Sequence, residues 1–262
     1  MNRAKTTTVN RIGAALEKEG PLLSIYFTAG YPALEDTLPV LRHLQASGVD
    51  MVEIGLPFSD PLADGPTIQQ SSSAALKNGM HTALLFEQLK EVRQEIHLPL
   101  ILMGYFNPVL QYGVEAFCQK CSEVGIDGLI LPDLPLEIYE REYRDIMERH
   151  GLRMTFLITP QTSEERIRKI DAASDSFIYM VSSASTTGAR EGFGPEQEAY
   201  FERIAAMELR NPQIVGFGIS NAATFRQATR DAKGAIIGSA FIRHLSEHGP
   251  AGIPDFIKKI RP

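Results

Sequence analysis

Eight apolar runs of strand length, each separated from the next by a stretch with helical spacing, limit this chain to few architectures. They are LLSIYFT (22–28), MVEIG (51–55), LPLILM (98–103), DGLILP (127–132), RMTFLI (153–158), SFIYMVSS (176–183), QIVGFG (213–218) and GAIIG (234–238). Between them, segments such as SSSAALKNGM, EIYEREYRDIMERHG, SEERIRKIDAAS and NAATFRQATRDA carry apolar residues three and four apart, with capping Ser, Asp or Asn at several starts. Strands that are apolar on both faces belong in a parallel sheet covered by helices. Eight such units in 262 residues fit an α/β fold of the single-domain (β/α)8 TIM barrel type, with extra helices, better than an open doubly wound sheet. No GxGxxG follows the first strand, and neither a Gly/Ser-rich linker nor a short repeat divides the chain, so residues 1–262 are expected to form one catalytic domain. A leading helix near 9–18 is expected to cover the barrel floor, and the stretch 82–96 to add a helix between the second and third strands.

A net charge of −6 without any basic run argues against nucleic acid and membrane surfaces as partners, since both select clustered Lys and Arg. A small-molecule substrate is the expectation. The N-terminal stretch has no continuous apolar segment, and no window reaches the roughly 18 apolar residues of a membrane span, so a cytoplasmic location is expected. Cys118 and Cys121 have CxxC spacing, but they lie inside a helical pattern rather than at a helix start, and no second Cys or His pair completes a zinc site. They read as ordinary thiols half-buried on a helix face.

Barrel enzymes work at the C-terminal ends of their strands. The stretch MVEIGLPFSDPLADGP (51–66) crosses that rim. Glu53 alternates with Val52 and Ile54, so it points into the barrel if they face the helices. A carboxyl group there loses hydration, its pKa rises, and it can act as an acid near neutral pH. The competing reading is a structural acid paired with an arginine or hydrogen-bonded in the core. Asp60 and Asp64 follow on the loop, and periodicity does not separate them; Asp64 is equally suited to capping a helix that begins near Pro66. The loop prolines fix φ, which suits a carboxylate held over the barrel mouth.

No lysine stands in the C-terminal half of any expected strand, which argues against Schiff-base chemistry. The histidines fall on helices or at strand beginnings; His244 and His248 have i,i+4 spacing but no carboxylate partner in an obvious rim position, so no metal site is expected. Acid–base chemistry by carboxylates remains. Gly-rich stretches after strands six, seven and eight, STTGAREGFG, GFGIS and GSAF, let backbone N–H groups approach an anion, and the last runs into a helical segment. Gly218, Gly238 and Ser239 are the phosphate candidates, with tight strand-to-helix turns as the alternative use of such glycines. Tyr26, Leu102, Tyr105, Ile130, Tyr179, Phe217 and Ile236 lie near the same rim and are candidates to line a flat apolar cavity.

VEIGLPFSDPLADGPTIQ, followed in order by LMGYFNPV, LPDLP, TTGAR, GFGIS and IIGSA, resembles the tryptophan synthase alpha subunit family across nearly the whole chain. The resemblance implies retro-aldol cleavage of indole-3-glycerol phosphate to indole and glyceraldehyde 3-phosphate. Glu53 then matches the residue that protonates indole C3 and takes the glycerol hydroxyl proton, and Asp64 the one that receives the indole N–H. Tyr179 matches the cavity tyrosine, Gly188, Gly218, Gly238 and Ser239 the phosphate positions, and Thr187 the closing loop. Pro57 and Asp60 fall on the loop that communicates with a partner. Tyr26 departs from the Phe that many members carry beside the indole ring, adding a hydroxyl to an apolar wall. The resemblance also implies a pyridoxal-phosphate beta subunit as partner, two alpha chains flanking a beta dimer, and no cofactor in this chain. Rival readings are another phosphate-gripping barrel, an isomerase or indole-glycerol-phosphate synthase, though the synthase would want a catalytic lysine at a strand end. A ligand-sensing activator subunit with little chemistry of its own is a second rival.

Overall fold

Eight parallel strands pair in sequence order and close into a barrel, each apolar run meeting a neighbour on both edges and helices on its outer face. The computed structural model describes residues 10–182 and 192–261. The strands are β1 (Leu22–Thr28), β2 (Met51–Gly55), β3 (Leu100–Met103), β4 (Gly128–Ile130), β5 (Arg153–Ile158), β6 (Ile178–Val181), β7 (Gln213–Gly216) and β8 (Gly234–Ile237). Several are shorter than their apolar runs. Pro99 has no N–H to give to a ladder, so β3 begins at Leu100. The run at 127–132 keeps only three strand residues because the chain turns after Ile130, where Leu134 N–H bonds back to Leu131 O at 3.1 Å.

Around the strands run α1 (Arg11–Leu16), α2 (Thr37–Ala46), α3 (Pro66–Lys77), α4 (Thr82–Gln88), α5 (Phe106–Tyr112) and α6 (Val114–Val124). After them come α7 (Leu136–Ile138), which passes through a π turn into α8 (Arg144–Arg149), then α9 (Glu164–Ala173), α10 (Pro195–Ala205), α11 (Ala222–Ala228), α12 (Ser239–His248) and α13 (Ile253–Ile260). The leading helix is capped by Asn10, whose side chain accepts from the N–H of Ile12 at 3.0 Å. It reaches the floor because Gly128 has no side chain: a Cβ there would lie 2.9 Å from Ile12 Cδ1. The stretch 82–96 is not one helix but two pieces, α4 and a 3₁₀ turn at Val92–Gln94. Arg93 in that turn points inward, donating to the carbonyls of Leu98 and Gly125 and to Asp127.

Cys118 and Cys121 are fully buried on α6 rather than half-buried, and burial pushes the Cys118 thiol up to about 12. Both therefore stay protonated and unreactive at neutral pH.

Register decides what faces inward. Tyr26 on β1 pairs with Glu53 on β2, and Glu53 with Ile101 on β3, so these three point the same way. Ile54 and its partner Leu102 form the alternate row, toward the helices.

Candidate active site

Glu53 is completely buried in the inward row. No arginine pairs with it among the described residues; the Ser24 hydroxyl, two residues below Tyr26 on the same face of β1, donates to its Oε1 at 3.1 Å. Its Oε2 has no hydrogen-bond partner among the described residues. Burial therefore dominates, and it pushes the carboxyl from an ordinary 4.5 up to about 8, opposed only by the Ser24 bond. Of the competing reading, a structural acid paired with an arginine or hydrogen-bonded in the core, the ion pair is absent among the described residues and the core hydrogen bond is the single one from Ser24.

Above Glu53 on β2 comes Gly55, and the space where its side chain would stand is filled by Tyr26. A Cβ on Gly55 would fall 2.2 Å from the Tyr26 hydroxyl. The same arrangement recurs across the barrel, where a Cβ on Gly216 of β7 would fall 2.2 Å from the hydroxyl of Tyr179 on β6. In each case a tyrosine leans onto the next strand and needs a glycine there. Tyr26 and Tyr179 both line a cavity of about 1160 Å³ at the C-terminal ends of the strands. The Tyr26 hydroxyl is thus turned toward β2, and the ring is left to face the cavity. Burial raises the pKa of both phenols, and the charges of Glu53 and Asp64 add to it, which places the two acids around one pair of rings. Glu53 itself is not part of the cavity wall; it lies one inward position below Gly55, over which the Tyr26 ring sits.

The loop after β2 separates the two aspartates. Asp64 lines the cavity, whereas Asp60 is exposed and bonds its own neighbour Ser59. Asp64 does not cap α3: the N-cap is Gly65, with no side-chain cap bond. Instead Asp64 Oδ2 accepts from the Tyr105 hydroxyl at 3.1 Å, and that hydroxyl accepts from the Ala63 N–H at 2.9 Å. The Tyr105 ring stacks on Phe58, centroids 5.1 Å apart, so both ends of the loop rest on one side chain. Partial burial raises the Asp64 pKa, and the Tyr105 bond opposes it.

At the opposite side, the strand ends of β7 and β8 turn sharply. Phe217 and Gly218 both take positive φ, 69° and 76°. For a phenylalanine that backbone is unusual, and such strain collects where a chain must present its amides to a ligand. The Ser182 hydroxyl steadies the turn by donating to Phe217 O at 2.8 Å. Gly238 precedes α12, which begins at Ser239, and both line the cavity with Phe217, Gly218 and Ile236.

Three residues expected in the cavity wall stand elsewhere. Leu102 faces the helices, paired with Ile54, and its neighbour Met103 takes the wall. Ile130 shares the inward row with Met103 but is sealed within the barrel, off the wall. Tyr105 holds Asp64 rather than lining the cavity. Pro57 lies on the loop without touching the wall, and Thr187 and Gly188 fall outside the described residues. Ser24, Met103 and Arg243 belong to the neighbourhood and escaped the sequence reading. Ser24 had a signal, since it alternates with Tyr26, and so did Arg243, four residues after Ser239.

A closed parallel barrel with a buried carboxyl group, a second carboxylate on a braced loop and a positive-φ turn at its C-terminal rim has the form of a (β/α)8 enzyme. The family model described as tryptophan synthase alpha chain matches residues 13–255. The tryptophan synthase alpha chain of Flavobacterium johnsoniae is 64% identical over 97% of this chain and 100% of its own length, and that of Christiangramia forsetii 62% over 97% and 99%. Among solved structures, tryptophan synthase subunit alpha from Legionella pneumophila superposes with a TM-score of 0.86 at 34% identity, covering 96% of this chain and 97% of that one. A tryptophan synthase complex from Pyrococcus furiosus contains a chain that superposes at 0.81 and 32% identity, covering 91% and 97%. The chain belongs to the tryptophan synthase alpha chain family.

Proposed function

We propose that this chain cleaves indole-3-glycerol phosphate to indole and glyceraldehyde 3-phosphate, with Glu53 as the proton donor and acceptor and Asp64 as the partner of the indole N–H. The carrying observation is a fully buried carboxyl group in the barrel interior with no ion-pair partner among the described residues, its pKa pushed up by burial, beside a cavity that also receives a second carboxylate.

The chemistry needs both states of Glu53. An indole carbanion is a poor leaving group, so C3 must first gain a proton; the resulting indolenine then accepts the electron pair of the breaking C–C bond. Glu53 gives that proton, becomes a carboxylate, and takes the proton of the glycerol hydroxyl as that carbon becomes an aldehyde. Atoms and charge balance, and the acid is restored. Asp64 accepts the indole N–H and offsets the positive charge that develops on the ring. To reach C3, the Glu53 carboxyl has to leave Ser24 and turn toward the cavity; one 3.1 Å bond is the only hydrogen bond that holds it among the described residues. Tyr26, Tyr179, Phe217 and Ile236 supply the apolar wall for the ring. Gly218, Gly238 and Ser239 supply amides for the phosphate, the α12 N-terminus favouring its charge. Thr187 and Gly188 belong to this proposal through the family resemblance alone.

The partner in this proposal is a beta subunit carrying pyridoxal phosphate, in a complex of two alpha and two beta chains, with no cofactor in this chain and the cytoplasm as its location. Among the described residues no helix is long and apolar enough to cross a membrane. The loop with Pro57 and Asp60 offers the contact: Leu62 on it is 92% exposed, unusual for a large apolar residue.

The test is indole release from indole-3-glycerol phosphate by the purified chain, with and without the beta subunit. Weak release alone, stronger release in the complex, and a loss of at least about 100-fold in Glu53→Gln or Asp64→Asn are expected. Wild-type rates in either variant would remove its assigned role.

A further inference from the structure

We infer that Arg243 is a phosphate-binding residue of this cavity, adding a positive charge to the amides at the start of α12. The inference rests on the substrate phosphate lying at that helix end, as proposed above.

Among the described residues of the cavity wall the charged side chains are Asp64, Glu196 and Arg243, so Arg243 is the single cation among them. Asp64 stands with the tyrosines at the ring end, and Glu196 lies in the first turn of α10. Arg243 lies in α12 itself. It follows Ser239 by four residues, which puts both side chains on one face, and helical side chains lean toward the N-terminus, back over the turn that presents the amides of Ser239 and Ala240. All three residues line the cavity.

The charge arithmetic favours a cation here. A phosphate monoester carries close to two negative charges at neutral pH, whereas a helix N-terminus offers the equivalent of about half a positive charge. A guanidinium supplies a full charge and a planar pair of N–H donors that fits two phosphate oxygens. Its present engagement leaves it available: Nη1 donates to the neutral Thr67 hydroxyl at 3.3 Å, and no carboxylate pairs with it among the described residues. Thr67 is the second residue of α3, three after Asp64. The side chain that meets the phosphate therefore also touches the segment that carries the second carboxylate.

The test measures binding of inorganic phosphate and, separately, of indole to the full chain by titration calorimetry, together with steady-state cleavage of indole-3-glycerol phosphate in the complex with the beta subunit. Arg243→Gln is expected to weaken phosphate about tenfold and to raise KM by a similar factor, with kcat and indole affinity within about twofold of wild type. Arg243→Lys is expected to recover most of the loss, and Thr67→Val, which removes only the present tether, to leave phosphate affinity unchanged. Phosphate affinity within about threefold of wild type in Arg243→Gln, or an equal loss for phosphate and indole, would overturn the inference. Ser239→Ala separates the two levels. If it weakens phosphate while Arg243→Gln does not, the arginine role alone fails; if neither variant does, the placement of the phosphate at α12 fails.

Discussion

Glu53 is kept neutral by burial with a single hydroxyl for company, and that has a consequence for stability as well as chemistry. Its pKa is raised in the folded state, so the stability linked to its proton is fully present below the ordinary carboxyl pKa and is lost as pH rises through about 8. Between those limits this one group lowers stability by about 1.4 kcal/mol per pH unit. Urea unfolding at several pH values should therefore show Glu53→Gln losing that slope and exceeding wild type in stability near pH 8; parallel curves for the two proteins would contradict it. Asp64 depends on Tyr105. Tyr105→Phe should leave KM nearly unchanged, lower kcat by about tenfold, and shift the acidic limb of the rate profile upward, because the lost bond favours the charged form. The inward direction of Glu53 was legible from alternation alone. The choice of Asp64 over Asp60 was not: each is an aspartate on a proline-rich loop, and what separates them is a tyrosine 41 residues away.

At the scale of elements, the cavity wall is built from two tyrosine–glycine pairs on neighbouring strands, β1 with β2 and β6 with β7. Gly55→Ala should displace Tyr26 and cost about 1–3 kcal/mol, read as a drop in the urea midpoint, with loss of indole binding. A full-affinity, full-stability Gly55→Ala would mean that the ring does not sit as described. All eight strands and most helices could be read from periodicity, because an apolar run covered on both faces leaves the same trace whichever strand it meets. Strand ends could not, since a ladder stops where its partner stops or where a proline cannot donate. The wall residues at β3 were misplaced for a related reason. In a fully buried strand both faces are apolar, so nothing in LPLILM tells Leu102 from Met103; the register with Glu53 does. On the loop after β2, Leu62→Asp should leave the free chain's activity unchanged and weaken its activation by the beta subunit, which mixing the two chains at increasing beta concentration would reveal.

Over the whole molecule, the barrel divides its polar groups by end. The floor carries structural ion pairs: buried Asp127 takes Arg93 at 2.6 Å, Arg11 at 2.9 Å and the Leu100 N–H, and Asp50 takes Lys18 and Arg261, tying both ends of the described chain beneath the strands. Asp127→Ala strands the largely buried Arg93 and should cost about 3–5 kcal/mol in urea unfolding while leaving KM for indole-3-glycerol phosphate unchanged. Toward the rim, Glu53 and Asp64 have no ion-pair partner among the described residues; each keeps only a hydroxyl, from Ser24 and Tyr105. That contrast is the centre of the account, and its direct test is a titration of Glu53 followed by carbon-13 NMR of glutamate-labelled protein, the signal being assigned by its absence from Glu53→Gln. A side-chain carboxyl resonance with a midpoint near 8 is predicted; a midpoint in the ordinary range, about 4 to 5, would contradict the proton-donor role.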